Sequence, residues 1–250
     1  MAQTDNQTGN HNGTTDLKTC DCRDKGVVFD AEQVRERLLD VEKEIAPCKP
    51  RIIGVTKYYG LDSIIKGYQA GLRDFGESRA LEAINKIESL PADIKMNSNF
   101  HFIGHLQTNK AEKVVRHFDY IHSVDSLRLA ETISKHAEDN GKRIKVLLQV
   151  NNAGEEQKYG YSKTGLENDI REIISLTGIE VIGLMNIAPL GANETTLRYL
   201  FKDMLKFKQK LEQSYKIKLN ELSMGMSDDY KIAVQEGATM IRIGRKLFTN

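Results

Sequence analysis

From about residue 29 the chain alternates between two hydrophobic periods. RIIGV (51–55), LRDFG (72–76), NFHFIG (99–104), YIHSV (120–124), IKVLLQV (144–150), EVIGLM (180–185), NELSM (220–224) and TMIRIG (239–244) have the length and apolar content of strands. Between them run SRALEAINKIESL, TNKAEKVVRHF, SLRLAETISKHAEDNG and TLRYLFKDMLKFKQKLEQSY, whose apolar residues recur near helical spacing. Such strict alternation, with mainly apolar strands, is the pattern of a parallel sheet covered by helices. Eight units favour a closed (β/α)8 barrel over an open doubly wound sheet. One more helix is expected ahead of the first strand, through FDAEQVRERLLDVEKEI, with Asp30 and Gln33 forming its capping box. The chain stops soon after the eighth strand, which leaves no room for an eighth outer helix. The leading helix is expected to fill that gap, because strands one and eight are neighbours in a closed barrel.

Residues 1–26 break this rhythm. They are rich in Asn, Thr, Asp and Gly and hold hardly an aliphatic side chain, so they are expected to be a disordered polar tail ahead of one domain at 27–250. Over the 250 residues, 40% hydrophobic and 28% charged residues fit a soluble globular protein with a sizeable core. The 36 Lys and Arg against 35 Asp and Glu give a net charge of +1, which argues against a nucleic-acid partner. No apolar run nears the roughly 20 residues of a membrane span, and no targeting segment leads the chain, so a cytoplasmic protein is expected. The 3 cysteines point to a reducing compartment rather than a disulfide framework. Cys20 and Cys22 form only a weak CxC metal pattern.

In a barrel, functional residues gather where strands end at their C-terminal side. Lys57 follows the first strand, wedged between apolar and aromatic neighbours, where a charged amine is costly to bury. Ser227 follows the seventh, where a helix is expected to start from Asp228. It reads either as a plain N-cap or as part of an anion site at the helix start. Gly244, after the eighth, lets backbone approach the same anion. A desolvated lysine gives up its proton more readily and attacks aldehydes to form an imine. An aldehyde on a phosphorylated ring suggests pyridoxal 5′-phosphate. Arg242, two residues before Gly244, would then meet the ring nitrogen and, being unable to accept a proton, keep it neutral. A lone lysine at a strand end is more often solvated. His101 and His105, four apart, are expected on one strand face, as a barrel residue with a hydrogen bond rather than as metal ligands; no metal site is expected. Glu155 and Lys158 read as mouth residues or a solvated pair, and the lysine-rich stretch 200–218 as an outer barrel face.

GVTK at Lys57, FGES from Phe75, HFIGHLQTNK from His101, HSVDS from His122, VNNAGEEQKYG from Val150, GLMNIAP from Gly183, ELSMGMSDDY from Glu221 and RIGRKLF from Arg242 closely resemble the pyridoxal phosphate homeostasis proteins. These are single-domain relatives of the alanine racemase barrel, and the likeness spans nearly all of residues 28 to 250. It implies fold type III of the pyridoxal phosphate proteins, without the C-terminal β-domain. Lys57 matches the lysine that forms the internal Schiff base, Ser227 with the backbone around Gly244 and Arg245 matches the phosphate grip, and Arg242 matches the arginine facing the pyridine nitrogen. Ser78 stands where the family usually has Asn, and Arg245 where it has Thr. The resemblance implies a carrier that keeps intracellular pyridoxal phosphate (vitamin B6) in balance, with dependent apoenzymes as candidate recipients; without the β-domain that forms the racemase dimer interface, a monomer is expected. The alternative is a racemase-like enzyme with one catalytic base, disfavoured because the racemases' second base comes from the β-domain.

Overall fold

The computed structural model describes residues 29–155 and 157–249. The polar segment 1–26, with Cys20 and Cys22, lies outside the described residues. Among these, eight parallel strands close into one barrel in chain order. They are β1 (Arg51–Val55), β2 (Asp74–Glu77), β3 (Asn99–Phe102), β4 (Tyr120–Val124), β5 (Ile144–Gln149), β6 (Ile179–Met185), β7 (Glu221–Met226) and β8 (Met240–Ile243). Around them lie α1 (Ala31–Ile45), α2 (Leu61–Gln69), α3 (Ala80–Ser89), α4 (Ala92–Met96), α5 (Ala111–His117), α6 (Leu127–Asp139), α7 (Lys163–Ser175), α8 (Glu194–Tyr215), α9 (Tyr230–Gln235) and α10 (Arg245–Phe248).

The local signals hold. Asp30 accepts from Gln33 N at 2.8 Å while Gln33 Oε1 accepts from Asp30 N at 3.1 Å, so two orphan donors of α1 are satisfied together. Ser126, Ser162 and Asn193 cap α6, α7 and α8 in the same way, each accepting a first-turn N–H. The lysine-rich stretch forms most of α8, and its apolar stripe of Leu197, Phe201, Met204, Phe207 and Leu211 is buried on the barrel.

Closure follows from the pairing of β1 with β8, register Arg51 to Met240 through Gly54 to Ile243. Helix α1 packs against α2 on one side and α9 and α10 on the other, filling the gap at this seam. One correction applies here: β8 is followed by a single helical turn, α10. Its Phe248 ring packs over Gly54, 3.4 Å from where a Cβ would lie. The apolar core has two parts. The larger lies between strands and helices; the smaller, Ile53, Tyr120, Leu147, Met185 and Met240, fills the barrel itself. The interior is therefore packed rather than a pore.

Candidate functional site

Five of the six expected site residues meet at the mouth. Lys57, Ser227, Arg242, Gly244 and Arg245 line one cavity of about 340 Å3, together with Val55, Tyr58, Tyr59, Ile103, Met226 and Thr249. Three cationic side chains and four hydroxyls share it, and no carboxylate is among the described residues lining it. An anion is what such a lining favours.

Strand β1 delivers Lys57, one residue beyond Thr56. The lysine is half-buried, its Nζ 5.0 Å from the centre of the Tyr58 ring. Among the described residues no carboxylate lies within ion-pair reach of it. Tyr59 bonds Thr249 Oγ1 at 2.5 Å and packs on Phe29 and Phe248, which fixes the rim on the β1 side.

The β7 side differs from the expected arrangement. Strand β7 runs on to Met226, and α9 starts at Tyr230 with Asp229 before it, so Ser227 lies in the connecting turn rather than at a helix N-cap. Asp229 instead accepts from Met226 N at 2.5 Å and pins that turn. Gly225 makes the turn possible: its φ is +91°, and a Cβ there would fall 2.6 Å from that of Ala233. Ser227 Oγ stands 3.5 Å from the Lys246 N–H of α10, too long to hold the hydroxyl firmly. Gly244 faces Val55, where a Cβ would lie 3.3 Å from the carbonyl oxygen. Arg245, exposed at the rim, pairs with Asp228.

Arg242 is held from below. It is 5% exposed, and its Nη1 donates to Ser223 Oγ at 2.7 Å and its Nη2 to the Asn186 carbonyl at 2.8 Å. Burial pulls the guanidinium down to about 10, against the opposing charge of Asp229. Asn186 Oδ1, on the residue that follows β6, is buried and has no partner among the described residues.

Ser78 does not line the cavity. It lies past β2 with its backbone against Gly104, where a Cβ would sit 2.3 Å from the Ser78 carbonyl oxygen. Nor do His101 and His105 share a strand face. β3 ends at Phe102; His101 is fully buried, while His105 lies beyond the strand, 3.3 Å from Asp125 and stacked on Tyr159. Glu155 and Lys158 pair with one another, and Lys158 also donates to the Ala188 carbonyl at 3.1 Å.

Sequence reasoning missed the clamp behind Lys57. Thr56 Oγ1 donates to Glu77 Oε1 at 2.8 Å, Lys86 Nζ donates to the same oxygen at 2.9 Å, and Lys86 also donates to the Thr56 carbonyl at 3.0 Å. All three groups are buried. The signal was present: Lys86 interrupts the apolar stripe of α3 beside Ala83 and Ile87. Burial pushes the Glu77 carboxyl up, against the pull of Lys86 and Thr56.

The closed parallel barrel, with a lysine, two arginines and hydroxyls at its mouth, is built to receive an anionic ligand. Residues 29–249 match the family model described as alanine racemase, N-terminal domain. A pyridoxal phosphate homeostasis protein of Synechocystis is 42% identical over 202 residues, 81% of this chain and 92% of that protein. One from Aquifex aeolicus is 36% identical over 79% of this chain and 86% of its own length. PipY of Synechococcus elongatus, solved with PLP bound, superposes with a TM-score of 0.79 at 39% identity, covering 86% of this chain and 99% of that one. Alanine racemase of Clostridium difficile, at 15% identity and a TM-score of 0.71, shares the fold over 89% of this chain and 58% of its own. The chain belongs to the pyridoxal phosphate homeostasis protein family.

Proposed function

We propose that this protein binds pyridoxal 5′-phosphate in the mouth cavity, through Lys57, and serves the balance of that coenzyme in the cell. The observation that carries the reading is the convergence on one cavity of an amine with no carboxylate partner among the described residues, two guanidinium groups and a serine hydroxyl. Its volume of about 340 Å3 lies at the small end of the roughly 300–1,000 Å3 typical of small-molecule sites. The lining fits the coenzyme's chemistry. Ser227, Arg245 and the backbone at Gly244 would hold the phosphate, Arg242 would donate to the ring nitrogen, and Lys57 would supply the amine.

When bound, the coenzyme supplies an aldehyde that links reversibly to an amine with loss of water. Lys57 thus stores the vitamin in a form shielded from stray amines yet releasable. Arg242, a donor only, cannot take a proton from the ring nitrogen. That weakens the ring as an electron sink, and we favour a carrier that hands its cargo to dependent apoenzymes. Ser78 lies outside the cavity lining, and no direct part in binding is assigned to it. We further infer a cytoplasmic monomer; no helix among the described residues is long and apolar enough to cross a membrane.

The test is spectroscopic. Adding the coenzyme should produce a visible absorption band that borohydride abolishes while fixing the label on Lys57, and Lys57→Ala should lack both band and label with its fold intact. A wild-type protein that takes up no reducible label would overturn the reading. Incubation with single amino-acid enantiomers in heavy water should give no inversion at catalytic rates; rapid Cα deuteration with inversion would favour the racemase instead.

A further inference from the structure

We propose that Asp74, His101, His122 and Ser223 are positioning residues, forming one directional hydrogen-bond chain through the barrel interior that orients and polarises Arg242 at the mouth. The links are continuous. Arg242 Nη1 lies 2.7 Å from Ser223 Oγ, which lies 2.9 Å from His122 Nδ1. His122 Nε2 lies 2.9 Å from His101 Nδ1, and His101 Nε2 lies 2.9 Å from Asp74 Oδ1. Strands β4 and β7 are not neighbours, so the bond from His122 to Ser223 can only cross the inside of the barrel. Both imidazoles and Ser223 are 0% exposed.

The end groups fix the direction. A guanidinium only donates, and an ionised carboxylate only accepts. Arg51 and Asn99 reach the same Asp74 oxygen at 3.3 and 3.1 Å. Burial pushes the Asp74 carboxyl up, but the His101 bond and the charge of Arg51 outweigh it and leave it below its ordinary value. Both rings are held neutral: burial lowers His101 against Asp74, and burial followed by surrounding positive charge holds His122 well below the imidazole range. One arrangement then satisfies every atom. Ser223 O–H donates to His122 Nδ1, His122 Nε2–H to His101 Nδ1, and His101 Nε2–H to Asp74. Each group turns its accepting atom towards Arg242, so the negative charge at the far end is relayed towards a buried cation that bonds no carboxylate among the described residues. Tyr120, stacked on His101 at 4.2 Å and bonded to Arg51, keeps the first ring in plane.

The chain itself can be tested without the coenzyme. Histidine-labelled 15N spectra near neutral pH should show His101 and His122 as neutral rings protonated on Nε2; an Nδ1-protonated or charged ring at either position would overturn the proposal. The effect on Arg242 rests on the binding reading above. It is measured by comparing pyridoxal phosphate with its analogue carrying C–H in place of the ring nitrogen. Ser223→Ala and Asp74→Asn should each lower the preference for the natural coenzyme by about 5-fold, the worth of one hydrogen bond, and Ser223→Thr should restore it. Equal losses for both ligands, or an unchanged preference in either variant, would reduce these residues to packing and overturn the proposal. Absence of any Lys57 label in the wild type would sink the binding reading alone, since the tautomers are read independently.

Discussion

Arg245 is, with Ser78, one of the two positions where the resemblance marks a departure, and its surroundings set a measurable consequence. Its guanidinium lines the cavity yet is paired with Asp228, both side chains being largely exposed. An incoming phosphate must compete with that carboxylate. Asp228→Asn should therefore tighten binding of the coenzyme by about 2- to 5-fold, the size of one exposed ion pair, as read by calorimetric titration. Arg245→Ala should weaken it, and high salt should shrink both differences. Lys57 is better defended. Tyr58, Tyr59 and the buried Thr56 surround it on the chain, and no carboxylate competes for its amine among the described residues. The lysine was legible because a cation at the end of an apolar strand asks for a reason. Arg245 was legible only as a departure, since its partner Asp228 is brought to it by the closing of β7 on β8.

At the scale of elements, the clamp of Glu77, Lys86 and Thr56 joins β1, β2 and α3 just behind Lys57. The pair has 1% and 8% side-chain exposure, so neither charge is screened by water. Lys86→Met would leave Glu77 buried without its counter-ion, and Glu77 Oε2 already lacks a partner. Loss of one member of a buried pair typically costs about 3–5 kcal/mol, and urea denaturation should register that loss. Pairing it with Glu77→Leu should recover much of the stability, because two apolar side chains replace two desolvated charges. The double variant separates holding the fold from holding Lys57: with stability regained, slower labelling of Lys57 would assign the clamp a positioning role. None of this was read from the sequence, because Glu77 and Lys86 point away from the barrel interior and meet in the layer between strands and helices. Local periodicity marks such positions as core but cannot say which charged residues meet there.

For the molecule as a whole, the buried histidines tie stability to pH. The folded state lowers the proton affinity of both His101 and His122. Below the unfolded imidazole value of about 6.5, the unfolded chain binds protons that the folded barrel refuses, so stability rises with pH through that window and falls as pH drops below it. Asp74, also lowered on folding, extends the loss into the carboxylate range. Denaturation midpoints should therefore decline from about pH 6.5 downward, and His122→Asn should flatten the upper part of that decline. A midpoint that stays level between pH 7 and 5 would contradict the buried neutral pair.

The sequence by itself determined the order of the elements and the kind of chemistry at the mouth. Alternation of short apolar runs with amphipathic ones is a local property, and a parallel barrel follows once eight such units are joined by short connections. Capping at Asp30, and a lysine and an arginine at strand ends, were visible for the same reason: each needs only its neighbours in the chain. Tertiary structure alone decided which distant groups touch. It placed Ser227 in a turn rather than at a helix start, left Ser78 outside the cavity, and added a helical turn after β8. It also threaded Asp74, His101, His122 and Ser223, spread over 150 positions of chain, into one line ending on Arg242. Hydrogen bonds act over about 3 Å, and only closure of the barrel brings residues so far apart in sequence within that reach.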